Sequence, residues 1–504
     1  MAKRETFFDF AFIDTKPVRP LHRWLYEQVR AAVLDGRLQP GTRLPSSRAF
    51  AQQYGLARGT VVDVFAQLVA EDYIHSKVGA GTYVLPALPD NLLKAAPSRA
   101  LLPATCPIAR QAKLSQRGAA LVHTPFPRSR PQEAGLLFDP YQPALEAFPA
   151  RLWAQIASRR LRRIPPGLLG DGNPCGYLPL RQNLASYLGA TRGVHASAEQ
   201  IIVVGSVQQA LELTARLLCD ADEAVWLEDP GYPGARAILQ AAGVRLIPVP
   251  VDAEGLQVAT GQRMCSEARL AYVTAAHQAP LGVCLSLARR IALLDWAQRV
   301  GAWIFEDDYD GEFRYNGRPV AALQALDQQE RVIYTGSFSK TLFPALRIAY
   351  MVLPAGLVDA FAAARSVTTR YAPLLDQMIL ADFIAEGHYA RHLRRMLHLY
   401  AERRAALLQA VADASYPIFV AGDEAGLNTA AWLAPGLTER DAVAAAKSCG
   451  VFVQPLGPYT LQRPLPPGLV LGFAAGTPAA IRHAVQRFSE ALAREGASTK
   501  RAQC

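Results

Sequence analysis

Residues 302–315 read AWIFEDDYDGEFRY, and residues 334–347 read YTGSFSKTLFPALR. Each is a short apolar run that stops abruptly in chemistry-bearing residues. In the first, the strand pattern Ala302–Phe305 runs straight into Glu306, Asp307, Asp308, Tyr309 and Asp310. Four carboxylates at one strand end repel each other unless a cation sits among them. A magnesium ion is one such cation; a protonated heterocyclic nitrogen is another. In the second, Val332–Thr335 gives way to Gly336, Ser337, Phe338, Ser339 and Lys340. Small residues of this kind offer N–H groups and hydroxyls that can hold phosphate. An amine beside a phosphate site and a partner carboxylate suits Schiff-base chemistry. A Ser-x-x-Lys by itself says little, because most lysines are simply solvated. Its pairing with Asp307-x-Tyr309 makes it specific.

The same alternation extends outward. Short β-branched runs recur at Gln200–Val204, Ala224–Leu227, Val244–Val249 and Arg269–Thr274. Helical periods fill the gaps at Gln208–Leu218, Ala235–Ala242 and Leu287–Val300. Strands alternating with helices predict an α/β fold, a mostly parallel sheet with helices on both faces. Ligands of such sheets sit at the carboxyl ends of the strands, where both quoted segments end.

The chain has 504 residues, about three domains' worth. Hydrophobic residues make up 51% and charged residues 19%, which excludes a disordered or low-complexity class. No apolar run approaches the ~18 residues of a membrane span, and no signal segment follows Met-Ala-Lys-Arg-Glu, so no membrane partner is expected. Seven cysteines lie scattered without a Cys-x-x-Cys pair. That predicts a cytoplasmic protein with inert thiols and no zinc site or disulfide scaffold. The net charge of +10 is uneven: residues 91–135 hold seven basic residues and one acidic. With six prolines and no sustained apolar period, that segment reads as a basic, partly extended tether. A solvated linker and an auxiliary phosphate-contacting arm are both open readings. The chain therefore divides into residues 1–85, a linker over 86–135, a large module over 136–492 and a tail over 493–504.

At the N-terminus Leu21, Leu25, Val29 and Val33 mark one face of a helix across 21–35. Gly41 and Pro45 bracket a turn, and Ser46 or Ser47 can cap a short helix ending near Tyr54-Gly55. Val61, Val64, Phe65 and Leu68 mark a third helix, and Tyr73-Ile74 with Tyr83-Val84 a hairpin around Lys77–Gly81. Two short helices across a tight turn, followed by a hairpin, read as a winged helix-turn-helix. Arg43, Ser46, Arg48, Arg58, Thr60, Lys77 and Gly79 lie where such a module meets phosphates and base edges. An ordinary three-helix core with solvated charges is the plainer alternative, and a net charge of +2 over residues 1–90 suits it.

Residues 20–84, PLHRWLYEQVRAAVLDGRLQPGTRLPSSRAFAQQYGLARGTVVDVFAQLVAEDYIHSKVGAGTYV, resemble the GntR-type winged helix, notably in LPSSR, the Arg-x-Thr-Val step and the Gly-x-Gly-Thr wing. It departs from that family in Ala57, where a capping Ser is usual, and in Gly59. Residues 192–218 (RGVHASAEQIIVVGSVQQALELTARLL), residues 228–252 (EDPGYPGARAILQAAGVRLIPVPVD) and His277-Gln278, with the two opening segments, resemble the fold-type I aminotransferases that bind pyridoxal 5′-phosphate (PLP). The two together resemble the MocR/GabR family of transcriptional regulators. That resemblance implies a fold-type I body with a small C-terminal α/β subdomain, a homodimer, operator DNA as a partner, and PLP or a small amine as effector.

Carried over residue by residue, Lys340 would form the Schiff base with PLP. Asp307 would pair with the pyridine nitrogen, Tyr309 with the ring's phenolic oxygen, and Tyr232 would lie against the ring. Ser337, Ser339 and Arg347 would hold the phosphate, with Ser206 and Gln208 in the first phosphate loop, and His277 would neighbour the ring. No metal is expected. Several positions depart from the family's pattern: Ser206 and Val207, Asp171 for a Tyr, Ala279 and Leu281, and Val470 where an Arg clamps a carboxylate. They imply a weakened phosphate grip and no carboxylate clamp. The reading is thus a PLP-responsive regulator. A working aminotransferase, or a regulator that has lost PLP and uses the body only to dimerise, are the alternatives.

Overall fold

The structure, a computed structural model, describes residues 21–77, 81–85, 114–122, 137–317, 320–414, 418–420 and 425–503. Two compact units emerge, Met1–Ala112 and Lys113–Cys504. In the first, helix α1 (Leu21–Leu34) turns Leu25, Val29 and Val33 inward, as their spacing predicts. Strand β1 (Arg43–Leu44), α2 (Ser47–Tyr54), α3 (Arg58–Ala70), β2 (Ile74–Lys77) and β3 (Gly81–Val84) follow. The strands form one antiparallel sheet in the order β1-β3-β2. Leu44, Phe50, Val61, Phe65, Leu68, Ile74 and Val84 join α1's apolar face in a single core.

The two helix starts of this unit differ. At α2 the Ser46 hydroxyl accepts the Ala49 N–H at 3.2 Å. At α3, Ala57 holds the extended backbone of a cap with no side-chain hydrogen bond to offer. Its first-turn N–H groups therefore lack the partner a Ser would provide. Gly79, expected on the wing, lies outside the described residues.

The tether is not extended throughout. Gln116–Val122 forms a helix, α4, opened by the Ser115 hydroxyl accepting the Gly118 N–H at 3.0 Å. It lies within the second unit. So short a helix cannot announce itself by periodicity among so many prolines and arginines.

The second unit is built on an eight-stranded sheet, ordered β4-β11-β10-β9-β8-β5-β6-β7. Its strands are β4 (Ile201–Val204), β5 (Ala224–Asp229), β6 (Arg245–Asp252), β7 (Gly255–Leu256), β8 (Leu270–Val273), β9 (Trp303–Asp308), β10 (Val332–Ser337) and β11 (Ala349–Val352). The five strands β6, β5, β8, β9 and β10 run parallel. β11 runs against both β10 and β4. Both faces are covered, so alternate residues of one strand enter different cores. Ile202 and Val204 pack with α5 (Val207–Leu218) and α6 (Pro233–Ala242), while Ile201 and Val203 pack on the helix Leu178–Arg192. Trp226 and Trp296, the latter on α7 (Leu287–Val300), stack with centroids 3.8 Å apart. Trp153 and Trp303 are half-buried. A short helix, α8 (Phe338–Thr341), follows β10 directly.

A second, antiparallel sheet of β12 (Phe419–Val420), β13 (Asn428–Trp432), β15 (Gly468–Gly472) and β14 (Gln454–Pro455) carries its own core. It packs against α9 (His388–Asp413), α10 (Glu439–Ser448) and α11 (Pro478–Gln503). The predicted tail over 493–504 is a continuation of α11, whose backbone stays helical to Gln503. No helix among the described residues is long and apolar enough to cross a membrane.

Because Ala57 already has cap geometry, Ala57→Ser supplies only the missing acceptor. It is expected to stabilise the start of α3 by about 1 kcal/mol. Hydrogen exchange on the full chain checks this: first-turn amides of α3 gain protection of roughly five-fold, and those of α2 do not change.

Candidate functional site

A cavity of about 430 Å³ opens at the carboxyl ends of the parallel strands. β9 delivers Asp307, β10 delivers Ser337 and leads into α8 with Ser339 and Lys340, and β4 leads into Ser206. Tyr232, Gln208, Tyr309 and Arg347 complete the set brought together here. All the residues predicted to surround PLP line this cavity except His277.

Asp307 is buried. Its Oδ2 accepts the Tyr272 hydroxyl at 2.6 Å, and its Oδ1 is buried without a partner in the protein. Burial pushes this carboxyl up to about 7; the Tyr272 hydrogen bond opposes that, and Asp308 and Asp310 add to it. An acceptor so placed fits a cationic N–H donor. Lys340 Nζ donates to the Pro140 carbonyl at 3.1 Å and lies 5.2 Å from the centre of the Tyr141 ring.

The opposite end suits an anion. Ser206 caps α5, its hydroxyl oxygen accepting the Gln209 N–H at 3.1 Å, which leaves its own O–H to donate outward. The Ser337 hydroxyl accepts the Ser339 N–H at 3.1 Å and donates to the Ser339 hydroxyl at 3.0 Å. Arg347 sits in the left-handed region at φ 53°, which turns the chain sharply after Pro344–Leu346, and the residue lines the cavity. Val207 adds no hydroxyl. Gly336 is required next door: a Cβ there would meet the Tyr350 hydroxyl at 2.3 Å.

The strand-end carboxylates do not converge. β9 reaches Asp308 rather than stopping at Phe305, so its acids alternate between faces. Glu306 accepts the N–H groups of Leu323 and Gln324 at 2.7 and 3.0 Å. Asp308 accepts Arg192 Nε at 2.8 Å and the Tyr334 hydroxyl at 2.7 Å. Asp310 pairs with His277 Nδ1 at 3.1 Å. Among the described residues no group of three or more His, Cys, Asp or Glu side chains is set to hold a metal. Asp308 and Asp310 are thus both paired and buried.

His277 is the correction at this site. It stands behind the cavity wall, with Nδ1 3.0 Å from the Tyr309 hydroxyl. Gly426 crowds it, since a Cβ there would lie 2.0 Å from His277 Cε1. The His-Gln step reads from sequence as a ring neighbour, but the chain turns it inward. Four wall residues have no motif in the sequence: Tyr272, Tyr141, Asn428 and Tyr459. Tyr272 stood two positions from the end of a strand already read as β. Only the adjacency of β8 and β9, Tyr272 opposite Phe305, would have pointed it at Asp307.

On the first unit, Arg43, Arg48, Arg58 and Lys77 are exposed and Thr60 is half-buried. Arg58 and Thr60 occupy the first turn of α3, Arg48 the first turn of α2, and Arg43 and Lys77 the strands. Ser46 is engaged as a helix cap.

Fold and cavity together define a winged-helix module joined to an aminotransferase-like body. Residues 21–84 match the family described as bacterial regulatory proteins, gntR family. Residues 153–488 match aminotransferase class I and II. The chain is 39% identical to the probable rhizopine catabolism regulatory protein MocR of Rhizobium meliloti, over 94% of each chain. It is 32% identical to the HTH-type transcriptional regulator TauR of Rhodobacter capsulatus, over 94% of this chain and 96% of that one. Among solved structures, LysN from Thermus thermophilus, an alpha-aminoadipate aminotransferase complexed with N-(5′-phosphopyridoxyl)-L-leucine, is similar. It shares 28% identity at a TM-score of 0.65, covering 72% of this chain and 93% of that one. The chain belongs to the MocR/GabR family, a GntR-type winged helix fused to a class I and II aminotransferase domain.

Three buried acids share one pH behaviour. Asp307, Glu228 and Glu306 are all pushed up to about 7, chiefly by burial. A folded-state pKa above the unfolded one means that the folded chain holds the proton more tightly. That stability is full below about pH 4 and is lost as pH rises through about 7. The denaturation midpoint of the cofactor-free chain should therefore fall between about pH 5 and 8. Asp307→Asn should flatten part of that fall, as read by urea titrations across pH.

Proposed function

We propose that this chain is a PLP-responsive transcriptional regulator: the winged helix binds operator DNA, and occupancy of the Lys340 cavity biases that binding. The observation that carries it is Asp307 Oδ1, a buried acceptor without a protein partner on the wall of the Lys340 cavity. The residues present fit PLP. Asp307 would take the ring N–H, Tyr309 the phenolic oxygen, and Tyr232 the ring face. Arg347, Ser337, Ser339 and Ser206, with the Gln208 end of α5, would take the phosphate, Arg347 through a planar, always-charged fork. PLP, when bound, supplies an aldehyde that condenses with amines and a ring that draws electrons from the product.

The chain's own groups prepare that site. Tyr272 holds one Asp307 oxygen and so orients the other. His277, anchored by Asp310, holds the Tyr309 hydroxyl. The cavity's polar end is thinner than the family's pattern, with Val207 in place of a hydroxyl, and we infer that the phosphate is held less tightly. α4 lies along α6, and α6 begins directly after Tyr232. The helix within the tether is thus packed on the element that follows the tyrosine proposed to face the ring. A homodimer is proposed as the working unit; Leu169, Val367 and Leu375 leave large apolar surface uncovered.

The retained Lys340–Asp307–Tyr309 set also favours a second reading, a working aminotransferase. Turnover of an amino donor with a keto acid would establish it.

Two outcomes test the main reading. PLP added to the purified chain should give a visible absorbance band, and borohydride should fix the label on Lys340; Lys340→Ala should abolish both. Arg58→Ala should weaken operator binding in gel retardation by roughly 10- to 150-fold, the loss of one good base or phosphate contact, without touching that band. A full-length chain that retards no DNA from its own upstream region, with or without PLP, would overturn the proposal.

A further inference from the structure

We infer that the effector joining PLP in this cavity is an amine that carries no carboxylate. This rests on the PLP reading above and names what the same site selects.

Among the described residues that line the cavity, the cations are Lys340 and Arg347 and the acid is Asp307. The proposed cofactor uses all three. Arg347 faces the phosphate, Asp307 the ring nitrogen, and Lys340 the aldehyde carbon. What remains of the wall is neutral. That remainder includes Val470, buried on β15 between Ala430 and Gln454. Val470 packs with Leu456, Tyr459 and Trp432 in a small apolar cluster. A carboxylate directed there would leave water for an apolar wall with no charged partner, and an unpaired buried charge is strongly disfavoured.

The wall near Lys340 has the opposite preference. The Pro140 carbonyl and the Tyr141 ring face hold the Lys340 ammonium in this structure, at 3.1 Å and 5.2 Å. A carbonyl oxygen and an aromatic face both attract cations. The Tyr141 hydroxyl meets the Tyr459 hydroxyl at 2.6 Å, which fixes the ring. Once Lys340 is committed to the cofactor, this cradle can receive an incoming ammonium, and it offers an anion no charged partner. The exchange that follows is balanced. The incoming nitrogen forms the carbon–nitrogen bond that Lys340 gives up; starting as an ammonium it loses two protons in doing so, and the Lys340 nitrogen takes both and leaves as the ammonium. No oxidant, reductant or water is consumed.

The test uses the full-length chain loaded with PLP and matched probes: phenylalanine against phenethylamine, and leucine against isoamylamine. The readouts are the shift of the visible band, corrected for free PLP, and the loss of borohydride label from Lys340. Each amine is expected to act at a concentration roughly ten- to a hundred-fold below that of its amino acid, about the worth of one charge-assisted contact. Val470→Arg should narrow or reverse that ratio while the band formed with PLP alone persists. If that variant does not fold, the pairwise comparison on the unaltered chain still decides. Amino acids acting as well as their amines, or neither member of either pair shifting the band, would overturn the inference. Absence of any band with PLP alone would instead overturn the reading beneath it.

Discussion

One half-satisfied carboxylate organises the large unit. Asp307 sits inside a parallel sheet covered on both faces, where a charge is costly unless every lone pair finds a donor. Tyr272 supplies one donor and the protein withholds the other. Its neighbours are anchored away from the cavity lining, although Asp308 too keeps one buried oxygen, Oδ1, without a partner. Glu306 is held by two backbone N–H groups, Asp308 by Arg192 and Tyr334, and Asp310 by His277. Each partner comes from a distant segment, so the sheet, the helix Leu178–Arg192 and the loop near Leu323 must all be in place before this strand can be buried. Alternation along β9 then leaves a single acid facing the cavity. The site is electrostatically prepared for one cation at one position, and the surrounding fold is the means of keeping the other acids away from it.

Much of this was legible from sequence, for reasons specific to each element. The strand ends at Asp307 and at Ser337–Lys340 were readable because apolar runs stop sharply in polar residues, and a parallel sheet places all such ends on one edge. The helix Leu287–Val300 was read to the residue, since Ser286 caps it and Gly301 closes it. β11 was not read. Its Ala349–Val352 run is as apolar as its neighbours, and nothing local says that it runs against them. The second sheet was expected only through the resemblance, which implied a small C-terminal α/β subdomain; its strands were not read, since two of them have only two residues, too few for any period. Tyr272, Tyr141 and Tyr459 reach the cavity by strand order and by the meeting of segments far apart in the chain, which spacing cannot encode. His277 carried a motif but was turned inward by the room that Gly426 leaves.

In the first unit the same logic divides core from surface. The apolar spacing of α1 and α3 fixes which faces meet, and the structure follows it. The chemistry of the exposed turn is less constrained. Ala57 offers no side-chain cap and Gly59 has open space around it, so the start of α3 rests on Val61 and Val64 packing beneath it and on the Val61 N–H donating to the Ala57 carbonyl at 3.3 Å. A helix start of that kind gains order when a phosphate meets its N–H groups, which ties local stability to DNA contact.

A ligand shifts a conformational equilibrium only by its difference in affinity for the two states. The cavity has the construction this requires. One wall comes from the large sheet, through Asp307, Ser337 and Lys340. The other comes from the small sheet and its loops, through Asn428, Tyr459 and Val470. These two layers have separate cores, so a ligand touching both senses their spacing, whereas a ligand held by the large sheet alone does not. PLP by itself would satisfy the first wall, as proposed above. An amine joined to it would extend towards the second. On that reading the amine, more than the cofactor, would have differential contacts with which to select one arrangement. Tyr232, on the cavity wall and directly before α6, would sit where that selection meets the helix within the tether.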